Sequence, residues 1–308
     1  MKKSTASASN RKIVFGTMRV PFLVLNPVCV ALGASVVVFA GITINYFYLF
    51  LALIGAMTAH ISVNALNEYS DFKSGLDLNT QRTPFSGGSG TLPKSPEKAN
   101  IALITGIVTL VVTILIGACF LYVWGVWILP LGVLGIVVII AYTDWITRSP
   151  FLCLIAPGLG FGTMMVMGTT FVLTGSYSWE AFFASMVPFF LVSNLLLLNQ
   201  FPDVEADKNV GRNHLPISIG RKKSAIIYTV FLAGTYLSVI LGFILGILPA
   251  LSLLALGTVI LAIPTAIGAL KHSDDMDKLI PHMGKNVVIN ILTPVLLAIG
   301  LILSSVHP

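Results

Sequence analysis

Residues 199–211, NQFPDVEADKNVG, follow directly on a long apolar run and put Asp203 and Asp207 one helical turn apart. A carboxylate at the end of a membrane-spanning segment is costly unless it meets a cation or lines a wet cavity, so its presence marks function. Residues 64–77, NALNEYSDFKSGLD, repeat the device after an earlier apolar run. Two such clusters point to one shared site.

The surrounding chain is built for lipid. Of 308 residues, 56% are hydrophobic and only 10% charged, and the mean hydropathy of +0.93 excludes a water-soluble domain with an ordinary surface. The fold class that follows is all-α, a polytopic membrane protein. A crossing takes roughly 20 apolar residues, and about nine such spans can be marked, near 20–40, 46–68, 99–120, 122–143, 151–174, 181–201, 224–245, 248–270 and 286–305. Residues 1–19 carry Lys2, Lys3, Arg11, Lys12 and Arg19 with no short apolar core before a cleavage site, so they read as a cytoplasmic tail rather than a signal peptide. Residues 20–308 then form one transmembrane domain. With the tail inside, every one of the 18 Lys and Arg falls on the cytoplasmic side. The positive-inside rule predicts this asymmetry for an N-terminus in the cytoplasm and a C-terminus outside. The net charge of +6 therefore reports topology and does not call for a nucleic-acid partner. Cys29, Cys119 and Cys153 all lie in apolar segments without metal or disulfide spacing and read as packing residues.

Both acidic clusters fall on the cytoplasmic face, four spans apart, which suggests two four-helix pseudo-repeats followed by a ninth helix. On a helix, residues three or four apart share a face. His60, Asn64, Asn67 and Asp71 make one such stripe, and Asn199, Asp203 and Asp207 make another. Pro202 should kink the second stripe, and Gly75 and Gly211 should end the helical turns. Carboxylate and amide oxygens are hard ligands suited to Mg²⁺, which is usually held by one or two carboxylates together with the phosphates of a substrate. Lys73 and Arg82 follow the first stripe, and Lys208 and Arg212 follow the second. Together the two half-sites can clamp a diphosphate, the metal bridging and the cations donating. Residues 82–90, RTPFSGGSG, can fold over a phosphate as a lid or serve as a plain flexible connection.

Other groups carry plainer readings. A lone histidine such as His60 in an apolar span is commonly hydrogen-bonded packing. Glu68 and Glu205 point off the stripes and should face water or pair with Lys. Asp274, Asp275 and Asp277 do not share one face and read as a hydrated loop. Arg19 can reach the diphosphate or anchor the first span, Tyr142 can belong to the interfacial belt or to the site, and Asp144 and Arg148 can pair across a turn.

At these residues the chain resembles the UbiA superfamily of intramembrane prenyltransferases. Asn67-Glu68-x-x-Asp71 with Asp77 beyond is similar to the family's first Asp-rich motif, and Asp203-x-x-x-Asp207 with Gly211 and Arg212 to its second. Gly75 before Asp77, and Leu215 and Gly220 after the second motif, resemble the branch that prenylates dihydroxynaphthoate for menaquinone, as do Tyr142-Thr143 and Gly158-Leu159-Gly160. Phe161 and residues 82–90 depart from that branch and leave the acceptor open.

The resemblance implies a helical bundle around a central cavity open to the cytoplasmic side. It implies Mg²⁺ held by Asn67, Asp71, Asp203 and Asp207, with Asp77 as a further ligand. It implies a polyprenyl diphosphate bound through Lys73, Arg82, Lys208, Arg212, Asn64 and Asn199, with catalysis resting on Asp71, Asp203, Asp207 and Tyr142. The second substrate would be a small aromatic acceptor in quinone biosynthesis. A haem or chlorin ring, or a glycerol phosphate lipid, would suit the same donor site. A cation-coupled transporter with two acidic ion sites is the alternative outside enzymology, but such sites sit near the bilayer midplane, whereas both stripes here end their spans beside Lys and Arg.

Overall fold

Within a bilayer every backbone N–H and C=O must find an internal partner, and a chain of separated apolar runs satisfies this as helices. In the computed structural model, which describes residues 9–80 and 82–306, the described residues are helical with short connections and contain no strand. The helices are α1 (Asn10–Thr17), α2 (Leu25–Phe39), α3 (Tyr46–Lys73), α4 (Leu76–Asn79), α5 (Ala99–Trp124) and α6 (Leu129–Ala141). They continue as α7 (Pro150–Thr174) and α8 (Trp179–Asn199), α9 (Val204–Asn209), α10 (Leu215–Ser218) and α11 (Arg221–Ile244), then α12 (Ala250–Lys271) and α13 (Met276–Val306).

Eight segments among the described residues are long and apolar enough to cross a membrane. One of them, Pro96–Ala141, is 46 residues long and holds α5 and α6, separated at Gly125, whose φ of +68° ends α5. Side-chain contacts give their directions. Gly106 of α5 lies beside Ser62 of α3, whose hydroxyl donates to the Gly106 carbonyl at 2.8 Å, and Phe120 meets Tyr48 edge-on at 5.7 Å. So α5 runs antiparallel to α3. Ile128 packs into the same cluster as Tyr48, and Thr143, just past α6, accepts from Asn67 Nδ2 at 3.2 Å. The chain therefore returns along α6 in the direction of α3.

Helices in lipid gain little from hydrophobicity against each other and associate through small residues and polar links. The α3–α5 pair follows this pattern, with Thr58 and Thr113 hydroxyls 2.8 Å apart. The second half is tied similarly: Asn194 of α8 donates to the Tyr228 carbonyl of α11 at 2.8 Å, and the Tyr228 hydroxyl donates to Asn286 of α13 at 3.0 Å. Large apolar side chains such as Leu115, Val137, Leu237, Ile260 and Ile302 are exposed on the outer surface, as a lipid-facing belt requires.

Three local features differ from the sequence expectation. Residues 10–17 of the expected tail form a helix that buries Ile13 and Thr17, with Ile13 packed against Leu92 and Ala102. The second polar stripe is not one helix: α8 ends at Asn199, Pro202 lies in the turn, and Asp203 caps the start of α9. In the middle of α7, Leu159–Met167 is wound as a π-helix, a rare geometry frequent at functional sites.

Candidate active site

A cavity of about 580 Å³ runs between α3, α5, α6, α7 and α8. It is lined along α3 from Ala52 to Asp71, a rise of roughly 28 Å and close to the thickness of a bilayer core. Its walls are apolar for most of that length, and its mouth is acidic.

The mouth is built from both halves of the chain. The α3 stripe stays on one helix, so Asn64, Asn67 and Asp71 line the cavity together, and Gly75 with φ +81° turns the chain so that Asp77 joins them. From the other half come Asn199, Asp203, Asp207, Arg212 and His214, with Tyr142 and Thr147 between. Gly211, with φ +80°, provides the left-handed turn that reverses the chain; there the Arg212 N–H donates to the Asp207 carbonyl at 3.1 Å. The guanidinium is thereby carried back between the clusters. It pairs with Asp207 Oδ1 at 2.9 Å and with Asp71 Oδ1, joining two carboxylates that lie 136 residues apart in the chain. Asn213 N–H donates to the Thr147 carbonyl at 2.9 Å and docks this turn on the α6–α7 connection.

Residues 82–90 fold across the mouth and touch both clusters. Gly87 N–H donates to Asp203 Oδ2 at 3.2 Å, and Ser89 donates from its N–H and Oγ to the two oxygens of Glu68 at 2.8 and 2.7 Å. The Arg82 guanidinium donates to the carbonyls of Gly87 and Asp77 at 3.2 and 3.1 Å. Gly88, at φ +69°, leaves no room for a side chain, since a Cβ there would stand 2.7 Å from Asp77 Oδ1. Glu68 corrects the sequence reading: it is fully buried, faces neither water nor a Lys, and pairs with Arg19 Nε at 2.7 Å. Arg19 also donates to Asn67 Oδ1 at 3.4 Å, from a left-handed backbone with φ 52°, which is uncommon outside glycine and clusters at functional sites.

Three of the expected cations lie outside the cavity lining, Arg82 because its guanidinium is turned onto the carbonyls of Gly87 and Asp77. Lys73 is exposed with its ammonium 5.5 Å over the Tyr69 ring, and Lys208 is exposed on α9; neither lines the cavity. Asp144 accepts from Ser70 at 3.1 Å and forms no ion pair with Arg148. Asp274 and Asp275 make exposed pairs with Lys222 and Lys278. His214 lies off both polar stripes in the sequence, yet it is buried and bonds Asp207 Oδ2 through Nε2 at 2.9 Å.

Electrostatically the mouth is crowded with negative charge. Burial pushes the Asp77 carboxyl up to about 7, with Glu68 and Asp71 adding to the effect. Burial does the same to Asp203, again to about 7, with Asp207 contributing. Arg212 is held above its usual range, because Asp71 and Asp207 outweigh the burial that opposes its charge. Two carboxylate oxygens, Asp77 Oδ2 and Asp203 Oδ1, are buried without any hydrogen-bond partner. Such orphans call for a missing cation or water. Their oxygen chemistry fits Mg²⁺, which binds through few carboxylates and keeps water and phosphate oxygens as its other ligands. No three His, Cys, Asp or Glu side chains among the described residues converge into a ready-made metal site.

The sequence profile of the UbiA prenyltransferase family matches residues 25–281. This chain belongs to the UbiA prenyltransferase family. Two relatives named 1,4-dihydroxy-2-naphthoate octaprenyltransferase align with it. The one from Bacillus subtilis is 28% identical over 62% of this chain and 61% of its own length. The one from Haemophilus influenzae is 25% identical over 61% and 63%. The chain thus matches less than two thirds of either relative's length. A UbiA homologue from Aeropyrum pernix superposes with a TM-score of 0.65 at 14% identity over 92% of this UbiA-family chain and 98% of its own. A UbiA homologue from Archaeoglobus fulgidus bound to DMAPP and Mg²⁺ superposes with a TM-score of 0.62 at 13% identity over 94% and 98%. At these identities the likeness establishes the fold.

Proposed function

We propose that the chain is a Mg²⁺-dependent intramembrane prenyltransferase that moves a polyprenyl group from its diphosphate to a small aromatic acceptor in quinone biosynthesis. The observation that carries the reading is the pair of unpartnered buried oxygens, on Asp77 and Asp203, at the acidic mouth of a long apolar cavity. The naphthoate prenyltransferase relatives support 1,4-dihydroxy-2-naphthoate as the acceptor, and the homologue bound to DMAPP and Mg²⁺ supports the donor chemistry and the metal.

In this reading Asn67, Asp71, Asp203 and Asp207 hold Mg²⁺, with Asp77 beside them. When bound, the metal neutralises the diphosphate as it leaves the allylic carbon. Arg212 and Arg82 donate to diphosphate oxygens, Asn64 and Asn199 shape the floor beneath them, and the exposed Lys73 and Lys208 draw the anion toward the mouth. Residues 82–90 act as the lid that keeps water from the positive carbon, and the face of Tyr142 steadies that charge. Electrostatic stabilisation of this kind is usually the largest contribution in such a site.

We further take residues 20–308 as one domain of two four-helix repeats and a ninth helix, crossing the bilayer about nine times. The N-terminal tail and the mouth face the cytoplasm, following the one-sided placement of Lys and Arg. The test is product mass spectrometry on reconstituted protein supplied with Mg²⁺, a polyprenyl diphosphate and a panel of acceptors. A prenylated naphthoate supports the reading; a prenylated haem or glycerol phosphate lipid overturns the acceptor, and cation uptake into proteoliposomes without any product overturns the enzyme.

A further inference from the structure

His60 lies outside the acidic mouth. It precedes Asn67 by two turns of α3, a rise of roughly 10 Å toward the middle of the bilayer, and it lines the cavity between Ala56 and Asn64, one turn away on either side along α3. Its ring is fixed on two sides. Phe161, on the π-helical segment of α7, meets it edge-on at 4.8 Å between centroids. His60 Nδ1 lies 3.2 Å from Oδ1 of the fully buried Asn26.

The hydrogen-bond network assigns the tautomer. Asn26 Nδ2 donates to Met57 Sδ at 3.2 Å, so Asn26 Oδ1 is the acceptor and His60 Nδ1–H is the donor. Nε2 of the neutral ring then carries a bare lone pair. No hydrogen bond to Nε2 is formed within the described protein, and His60 keeps 7% of its surface open, on the cavity side. An acceptor atom that faces a cavity with largely apolar walls gains by meeting a donor there. A hydrocarbon chain passing it offers no donor. An O–H does.

We propose that His60 Nε2 receives a hydrogen bond from a ring hydroxyl of the aromatic acceptor. This rests on the prenyltransferase reading and deepens it, by assigning His60, held by Asn26, as the residue that orients the acceptor ring. The diphosphate end of the donor is held at the mouth, and the acceptor ring lies below it with its hydroxyl toward α3. The hydrogen bond draws electron density onto the ring carbons and fixes which carbon faces the donor. Phe161 holds the imidazole edge and flanks the ring.

The test uses full-length protein in lipid nanodiscs with Mg²⁺, a polyprenyl diphosphate and two acceptors, 1,4-dihydroxy-2-naphthoate and its O-methyl ethers. His60→Phe keeps the ring and its contact with Phe161 but removes the nitrogen, and His60→Gln restores an acceptor oxygen. The expected result is about a tenfold loss in kcat/KM for the hydroxylated acceptor in His60→Phe, with KM for the diphosphate unchanged and most activity kept by His60→Gln. One O-methyl ether should lose as much on the wild-type protein and lose nothing further on His60→Phe. An unchanged kcat/KM for the hydroxylated acceptor, an equal loss on every ether, or a shift in donor KM would overturn the inference. A wild-type protein that prenylates no aromatic acceptor would overturn the underlying functional reading, whereas active wild type with indifferent His60→Phe overturns this inference alone. Thermal unfolding of each variant confirms that the protein compared is folded.

Discussion

Replacing Arg212 by Met removes a side chain that pairs with both acidic clusters while keeping its bulk. Arg212 is 16% exposed, and its partners Asp71 and Asp207 are 7% and 5% exposed. Removing one partner from a buried pair costs roughly 3–5 kcal/mol, because a charge is left without compensation. Asp207 keeps His214 at 2.9 Å, so the lower end applies, about 3 kcal/mol, or a loss of roughly 150-fold in the folding equilibrium. The same arithmetic gives two further results. Asp71→Asn in the Arg212→Met background removes the stranded charge and should return most of the loss. Mg²⁺ should return it in the single variant, since a cation then sits where the guanidinium was lost. The assay is chemical unfolding in detergent micelles with chelator and with saturating Mg²⁺. A loss below about 1 kcal/mol in chelator, or an equal loss in the double variant, would refute the view that Arg212 holds the apo site together.

Further expectations concern the metal, the lid and the packing. Asp77 and Asp203 are raised from 3.8 to about 7, so the metal-free folded state binds more protons than the unfolded state between these values. Their contribution to stability is complete below pH 3.8 and is lost as pH rises through about 7. Mg²⁺ needs the ionised forms; calorimetric titration should therefore show affinity climbing as pH passes upward through about 7, and a flat profile would contradict the assignment. Glu68→Gln leaves Arg19 without its counter-ion and weakens two bonds from Ser89; faster proteolytic cleavage within residues 82–90 is expected, while cleavage at the wild-type rate would mean the loop is held by something else. Gly158→Ala would set a Cβ 2.2 Å from the Phe189 carbonyl oxygen and 2.4 Å from Ser193 Oγ, forcing α7 from α8. Overpacking of this kind costs about 3 kcal/mol, visible as a lowered Tm.

The fold was readable in the sequence wherever one physical constraint acted alone. Apolar length marked the segments able to cross a membrane, eight among the described residues, and helical spacing on α3 put Asn64, Asn67 and Asp71 along one cavity wall. Where two constraints competed, spacing misled. Pro202 broke the second stripe into α8 and α9, and the shared site of Asn199, Asp203 and Asp207 is made by a turn rather than by one helical face. Lys73 follows Asp71 by two residues, which on a helix turns it to the opposite side, and it is found there, over Tyr69.

Glu68 sits off the stripe as its position requires, but the face it occupies is covered by Arg19 and Ser89. That covering depends on residues 82–90 crossing the mouth, and no local periodicity carries a contact of this kind. His214 is likewise brought to Asp207 by the left-handed turn at Gly211. Gly211 and Arg212 were both legible, but the turn's effect on the residue beyond them was not. The pairing of His60 with Asn26 joins α3 to α2 and is a tertiary event throughout.

The central claim is that the acidic mouth activates a prenyl diphosphate through Mg²⁺. Diphosphate release by the purified, reconstituted protein tests it most directly, measured with a polyprenyl diphosphate and an aromatic acceptor, with Mg²⁺ or chelator, for the wild type, Asp71→Ala and Asp203→Ala. Release should need Mg²⁺ and fall by at least a hundredfold in either variant, about 2.7 kcal/mol of transition-state stabilisation. Release that persists in chelator, or that both variants leave unchanged, would contradict it.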